Sequence, residues 1–254
     1  MPPRQSRTDR AARKEKTAWV AGLLVAGALA AAWADPAGGR AWPPFLAPRE
    51  AFPVDVVASV ERVWLEPTLR RTVEGRPARA PFEVYAAFVD APDVTAAAAR
   101  FRKLASYAVE PLGDDRYRAD DGAGARGFYR VLVREPHRRV ILSWGEHRGA
   151  FLGTISGSAI TVLEIEPRGD LVAQTLTAHV RIDQRVAAAL ARVLALFFGS
   201  LADRKLAEGF AVSAQVAEWA VEQPRAFCEW LAGAPLLPES RERVFGVLPC
   251  QAGA

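Results

Sequence analysis

The glycine-rich segment at residues 122–127 is the local pattern in this chain most often associated with chemistry. Gly122, Gly124 and Gly127 satisfy the G-x-G-x-x-G pattern that many proteins use to bind a dinucleotide. That use requires a strand before the glycines and a helix N-terminus after them, where main-chain N–H groups face the pyrophosphate. Here the polar segment RYRADD precedes the glycines and the strand-like segment FYRVLV follows them. We therefore predict a hairpin loop and no nucleotide cofactor.

The histidines and the serine motifs do not indicate a catalytic or metal site. His137, His147 and His179 have no partner four residues away and no neighbouring cysteine pair, as zinc sites usually have. The G-x-S-x-G pattern of a nucleophile elbow is absent, and Ser156 lacks the strand, turn and helix context of that motif. The sequence consequently predicts no catalytic residue, no metal and no cofactor, and it favours a binding protein over an enzyme.

Two cysteines, Cys228 and Cys250, are the only ones in the chain. In an exported protein they could form a disulfide that ties the C-terminal tail to the preceding helix. Two free thiols are the alternative, and the sequence leaves both open.

Polar groups on otherwise apolar strand faces identify candidates for ligand binding. Tyr129, Trp144 and Gln174 could each orient a ligand through an O–H or N–H group inside an apolar cavity. The alternative is that they complete the core, with Gln174 bonded to the backbone. The predicted ligand-binding set also includes their apolar neighbours Leu142 and Leu176, and Phe101 on a predicted helix.

These side chains require a sheet to hold them. Alternation of apolar and polar residues, with turn residues between the segments, predicts several short strands in an antiparallel meander. The strands are predicted at Tyr107–Glu110, 116–119, 126–133, 138–144, 158–166 and 171–182. One face carries Tyr129, Val131 and Val133, against arginines on the other face. Before the meander, Phe82 to Val89 is predicted to be a strand and Asp93 to Leu104 a helix.

The C-terminal half contains a long helical segment that would cover the sheet. Large apolar residues recur at spacings of three and four from Val186 to Leu201, which places them on one helical face. A single helix from Asp183 to Pro224 would be roughly 60 Å long, so we predict a break near Gly199. The second half is amphipathic, with Phe210, Ala217 and Val221 apolar and Glu218 and Glu222 on the polar face. An alternative is that residues 186–202 cross a membrane, with Arg192 in the bilayer.

The N-terminus predicts export and attachment to a membrane. A basic leader at residues 1–17 precedes an apolar run without charge at residues 18–34, so the leader should stay in the cytoplasm and the rest should be exported. Ala32, Trp33 and Ala34 also fit a signal-peptide cleavage site, which leaves a removable leader as the alternative. The predicted location is a bacterial-type inner membrane, crossed once, with the body in the periplasm or outside the cell.

Composition and charge exclude some classes of function. The 254 residues are 50% apolar and 24% charged, which is typical of a globular protein rather than a disordered one. The net charge of +4 comes mainly from the leader, so the folded part lacks the basic surplus expected of a nucleic-acid-binding protein.

Residues 35–70 are predicted to connect the leader to the domain. Their first part, residues 35–53, is rich in proline and glycine and predicts an extended tether. A short helix is predicted to begin at Val54 and to stop before Pro67.

The order of strand, helix, antiparallel strands and long C-terminal helix resembles the helix-grip fold of the START-like or SRPBCC superfamily, which includes Bet v 1 allergens and polyketide cyclases. The residues that carry this resemblance are FVDAPDVTAAAARF at residues 88–101 and HVRID, followed by ARVLALFFGSLADRKLAEGF, near the end. The resemblance covers roughly residues 71–231 and leaves residues 232–254 as a tail. It implies an α+β fold in which a curved antiparallel sheet wraps around a long C-terminal helix. The family usually has two short helices after its first strand, whereas only one is predicted here.

Members of this family enclose an apolar cavity between the sheet and the C-terminal helix. The resemblance therefore implies a membrane-tethered, exported domain that binds a hydrophobic small molecule or lipid. A cyclase or hydrolase on the same fold is one alternative, and an interaction protein without an open cavity is another. The sequence does not indicate an oligomeric state.

Overall fold

Seven antiparallel strands form one curved sheet with helices on both faces. The computed structural model describes residues 42–149, 153–184 and 209–250. The strands are β1 (Leu69–Glu74), β2 (Ala108–Gly113), β3 (Arg116–Asp120), β4 (Ala125–Arg134), β5 (Arg138–Gly149), β6 (Gly153–Arg168) and β7 (Leu171–Ile182). Their spatial order is β1-β7-β6-β5-β4-β3-β2. The meander predicted from β2 to β7 is confirmed, because each of these strands pairs with the next along the chain.

Six α-helices lie within the described residues. They are α1 (Val54–Leu65), α2 (Phe82–Asp90), α3 (Pro92–Phe101), α4 (described over residues 209–222), α5 (Pro224–Gly233) and α6 (Pro238–Phe245). A short 3₁₀ helix, Arg49–Ala51, precedes α1. Proline occupies the N-cap or the first turn of α1, α2, α3, α5 and α6, where its missing N–H would be unpaired in any case.

The two faces of the sheet support separate cores. The inner face, which carries Ile165 and Val172, packs against α2, α3, α4 and α5. The outer face, which carries Leu142 and Ile160, packs against α1 and the segment before it. Each face has its own buried residues because side chains alternate along a strand.

Two elements near the start differ from the sequence prediction. The segment at residues 82–89, predicted to be a strand, is helix α2. Its buried residues, Val84, Tyr85, Ala87 and Phe88, follow helical spacing, and a short apolar run alone does not distinguish the two structures. With α2 and α3, two helices separate β1 from the meander.

Residues 42–70 pack on the sheet, although the sequence predicted a tether and a short helix there. The predicted helix is present as α1, and its residues Val60 and Val63 are fully buried against the outer face. Strand β1, which begins at Leu69, was not predicted. It pairs with β7, which lies more than 95 residues later in the chain, so local sequence carries little information about it.

A β-bulge changes the faces of β4. The register shifts between Val131 and Val133, so Val133 pairs with Val140 and packs with the outer core. The predicted common face for Tyr129, Val131 and Val133 is therefore wrong at Val133. Arg134 moves correspondingly and forms an ion pair with Asp90.

The described part of α4 is amphipathic, as predicted, but two positions differ. Phe210 and Ala217 are buried, whereas Val221 is 38% exposed. Glu218, predicted on the polar face, is buried and accepts hydrogen bonds from Arg76 Nη2 at 2.9 Å and from the Arg79 main chain at 3.1 Å. A single carboxylate thus joins α4 to the loop after β1.

The disulfide between Cys228 and Cys250 is present, with the two Cα atoms 5.5 Å apart. It fastens the chain beyond α6 to α5. Val244 and Leu248, which belong to the predicted tail, are buried in the inner core.

Within residues 42–149, 153–184 and 209–250, no helix has the length and apolar character needed to cross a membrane. The predicted span at residues 18–34, its alternative at 186–202, and the predicted break near Gly199 lie outside the described residues.

Candidate ligand-binding site

A hollow of about 450 Å³ lies against the sheet at strands β3 to β7. Most of its lining is apolar. The inner-face side chains that border it are Tyr107, Ala119, Ala125, Tyr129, Ser143, His147, Ile155, Ala159, Val180 and Ile182. Its size and apolar lining suit a small organic molecule.

Three glycines form the floor of the hollow. Gly127 pairs with Gly145, and Gly145 pairs with Gly157, so the glycines lie side by side on three neighbouring strands. A Cβ atom on Gly145 would lie 2.5 Å from the Arg126 carbonyl oxygen, and one on Gly157 would lie 2.6 Å from that of Arg181. The backbone approaches these positions too closely for any larger residue. The glycines therefore allow the strands to approach closely and leave space where side chains would otherwise stand.

Gly127 belongs to the G-x-G-x-x-G segment, and the structure explains that segment without a nucleotide. The segment forms the hairpin between β3 and β4, as predicted. Its turn is closed by Asp121 Oδ1, which accepts hydrogen bonds from Ala123 N at 2.7 Å and Ala125 N at 2.9 Å. Strands flank the segment on both sides, so no helix begins directly after the glycines.

Tyr129, one of the predicted ligand-binding residues, borders the hollow with its polar hydroxyl group. Its ring stacks on that of Tyr117, with centroids 4.9 Å apart. Burial raises the pKa of the Tyr129 hydroxyl well above its ordinary value, and the neighbouring Tyr117 and Asp93 add to this effect. The hydroxyl therefore stays protonated at neutral pH. Since it has no hydrogen-bond partner among the described residues, it can donate to a bound molecule.

Gln174 lies on the inner face, but its amide is already occupied. The Tyr85 hydroxyl donates a hydrogen bond to its Oε1, and its Nε2 donates to the Arg76 carbonyl oxygen at 2.5 Å. Gln174 therefore fits the alternative that the sequence left open, in which it completes the core and its amide is hydrogen-bonded within the protein. Leu176 also lies on the inner face of β7 but does not border the hollow.

Leu142 and Trp144 lie on the opposite face from Tyr129. Leu142 is 2% exposed in the core beneath α1, so the structure separates it from the hollow. The Trp144 ring stacks on Phe128 on the outer face, and Trp144 also borders the hollow. Sequence alternation correctly placed Leu142 and Trp144 on the same face, but it could not indicate which face of the sheet borders the hollow.

Phe101, at the end of α3, does not border the hollow either. It is 58% exposed and contacts Trp219 and Trp230, with ring centroids 5.7 Å apart in both pairs. Of the six predicted ligand-binding residues, three lie on the inner face, two on the outer face and one at the end of α3. Only Tyr129 and Trp144 of these six border the hollow.

The residues that sequence reasoning missed are mostly small. Ser143, Ala159 and the three floor glycines define the shape of the hollow through the space they leave. Their signal in the sequence is a glycine or alanine at an inner-face position of each successive strand. That signal becomes visible only when the register between the strands is known.

No family model matches the sequence, and no curated protein matches it. Among solved structures, a conserved protein from Geobacillus kaustophilus is 18% identical with a TM-score of 0.42, over 59% of this chain and 95% of that one. DynU16, from the dynemicin biosynthetic locus, is 13% identical with a TM-score of 0.36, over 62% and 49%. Ara h 8.0201 is 11% identical with a TM-score of 0.33, over 57% and 99%. At these values the similarity carries no argument about function.

Proposed function

We propose that this chain is a membrane-tethered, exported helix-grip domain that binds a hydrophobic small molecule or an acyl chain of a lipid. The observation that carries the binding proposal is the apolar hollow on the inner face, with its glycine floor. The START-like resemblance of the sequence supports the same conclusion.

Binding would draw on two physical contributions. Removing apolar ligand surface from water contributes about 25 cal/mol per Å². The Tyr129 hydroxyl, which has no hydrogen-bond partner among the described residues, would orient the ligand by donating a hydrogen bond to a ligand oxygen. No covalent step is needed.

The tether is proposed from the sequence. The basic leader and the apolar run at residues 18–34 support an uncleaved anchor with the domain outside the cytoplasm. Sequencing the N-terminus of the mature protein tests this part. A mature chain that begins at Asp35 would replace the anchor with a removed signal peptide.

The hollow can be tested by filling it. The assay uses a chain beginning at Arg40, since Arg40–Ala254 forms one compact unit. N-Phenyl-1-naphthylamine serves as the probe, and native mass spectrometry detects co-purified lipid. Ala159→Phe places a ring in the hollow, and we expect it to abolish probe binding. Ala173→Phe is the matched control, because Ala173 is a half-buried strand alanine on the outer face of β7.

Loss of binding in Ala159→Phe with binding retained in Ala173→Phe would support the proposal. Equal probe binding in both variants would contradict it, as would a wild-type chain that binds neither probe nor lipid. Circular dichroism of both variants establishes that they fold.

A further inference from the structure

The outer face of β3 to β5 carries an uncovered aromatic surface. Helix α1 covers Leu142 and Ile160, but Phe128 and Trp144 beside them are 43% and 41% exposed. The two residues pair across β4 and β5, and their rings stack with centroids 6.2 Å apart. Two large exposed rings in contact are more typical of an interaction surface than of a solvated sheet.

Arginines surround this aromatic pair. We define the outer-face patch as Arg116, Arg118, Arg126, Phe128, Arg130 and Trp144. In the strand register, Arg118 lies opposite Phe128 and Arg116 lies opposite Arg130. Arg126 and Arg130 flank Phe128 on β4 and occupy the same face.

Two of the four arginines have acidic partners and two do not. Arg118 bonds to Glu110, and Arg116 lies 3.5 Å from Asp114. Arg126 and Arg130 form no ion pair with the described residues. The acids in register with Arg126 are engaged elsewhere: Asp120 accepts a hydrogen bond from Gly122 N at 2.8 Å, and Glu146 lies 3.2 Å from Arg148. Within residues 42–149, 153–184 and 209–250, neither of these two guanidinium groups is within ion-pair distance of a carboxylate.

The chain enters the domain on this same face. Trp42, the first described residue, and Phe45 pack with α1 and Trp64 in the outer core. Only the seven residues 35–41 separate Trp42 from the apolar run that ends at residue 34. Fully extended, they reach at most about 25 Å. A bilayer that anchors the chain through this apolar run would therefore be within reach of the domain.

We propose that the outer-face patch docks on the surface of the phospholipid bilayer that anchors the chain. This inference rests on the membrane tether of the proposed function, but not on the hollow. Tryptophan is enriched at the level of lipid headgroups, where an apolar ring and a polar N–H are both accommodated. Arginine binds phosphate with paired N–H groups, and anionic lipid strengthens that attraction.

The test uses the full chain reconstituted in nanodiscs. Cys228 and Cys250 are joined in a disulfide, so one introduced cysteine can be labelled specifically with the fluorophore NBD. Ser158→Cys places NBD beside Trp144, its neighbour across β5 and β6. Ser240→Cys, on α6, is the matched control, because it is also a half-buried serine but packs on the inner-core side.

We expect NBD at residue 158 to shift to the blue and to be quenched severalfold more strongly by doxyl-labelled lipid than NBD at residue 240. Phosphatidylglycerol should increase the difference relative to phosphatidylcholine. The Phe128→Ser and Arg126→Ser/Arg130→Ser variants should reduce it. The Arg168→Ser/Arg225→Ser variant removes the same charge from other exposed sites and should leave it unchanged.

Equal quenching at the two labels would overturn the proposal, as would a chain that does not remain in the nanodisc. A shift produced by oligouridylate without lipid would assign the patch to single-stranded nucleic acid instead. A shift that depends on protein concentration alone would assign it to a second copy of the chain. Arg126, Phe128 and Ser158 also border the hollow, so probe binding is measured in the same variants. A patch variant that loses lipid quenching but keeps probe binding separates this proposal from the proposed function.

Discussion

Arg139 holds Asp90 through two parallel hydrogen bonds, from Nε to Oδ1 and from Nη2 to Oδ2, each 2.7 Å long. The Arg139 side chain is 6% exposed, and the pair joins the end of α2 to strand β5. Arg134 bonds to the same carboxylate. Burial alone would raise the pKa of the Asp90 carboxyl, but the hydrogen bonds and charges of Arg139 and Arg134 outweigh it and lower the pKa.

Replacing this carboxylate should destabilise the fold strongly. Asp90→Asn leaves the buried Arg139 guanidinium without its counter-charge, and loss of one partner of a buried pair costs about 3–5 kcal/mol. The free energy of unfolding from urea titration measures the effect. The matched control is Asp114→Asn, whose side chain is 80% exposed in the β2–β3 turn. A loss below about 1 kcal/mol, the range of exposed pairs, would contradict the buried geometry.

His179 should make stability depend on pH. It is buried beneath α1, with its ring 4.6 Å from that of Trp64. Burial lowers the pKa of His179 to about 4, and the charge of Arg70 acts in the same direction. The unfolded chain binds this proton near pH 6.5, so stability should fall as the pH drops below about 6.5 and level off below about 4.

Urea titrations at pH 7.5 and pH 5 can separate this effect from that of other groups. His179→Phe should remove much of the difference between the two pH values, since the ring can still pack on Trp64. His147→Gln, which alters the hollow instead, should keep the difference. An unchanged difference in His179→Phe would show that other groups cause it.

The floor glycines should not tolerate a methyl group. In Gly157→Ala, the new Cβ would lie 2.6 Å from the Arg181 carbonyl oxygen, which is main chain and cannot turn aside. Overpacking of this kind typically costs about 1–3 kcal/mol. Gly233→Ala is the control, because a Cβ there meets no atom within 4 Å. Thermal unfolding followed by circular dichroism compares them, and equal midpoints would refute the crowding.

The disulfide should contribute measurably to stability. Cys228 and Cys250 are 22 residues apart, and closing a loop of this length stabilises a fold by roughly 3 kcal/mol. Dithiothreitol should therefore lower the unfolding midpoint of the wild-type chain. The Cys228→Ala/Cys250→Ala variant should unfold at the lower midpoint and should not respond to the reductant. A response in that variant would trace the effect of dithiothreitol to something other than the disulfide.

The strands and helix α2 show which secondary structure the local sequence pattern predicts correctly and which it does not. The strands from β2 to β7 were predicted because alternation and turn residues are local signals, and Asp114 and Asp115 adopt the positive φ angles of a turn. Helix α2 was mistaken for a strand because its nine residues are too few for the two periods to be told apart. The face of Val133 was wrong because a bulge adds a residue that alternation cannot anticipate.

The candidate site was predictable only in part for a similar reason. Tyr129 was identified by its residue type, since a phenol on an apolar strand suggests an orienting group. Ala159 and Gly157 were not identified, because a small side chain has no chemistry of its own and matters only through the volume around it. Gln174 was identified by type as well, but its partner Tyr85 comes from α2, 89 residues earlier in the chain.

The sequence by itself determined the α+β class, the antiparallel meander and the amphipathic character of α4, because these depend on patterns within a few neighbouring residues. The tertiary structure decided which face of the sheet borders the hollow, which strand pairs with β1, and that Glu218 is buried against Arg76 and Arg79. Those features depend on contacts between residues far apart in the chain. An alternating sequence shows which side chains share a face of the sheet. It does not show which helices will cover that face, because this depends on how the whole chain packs.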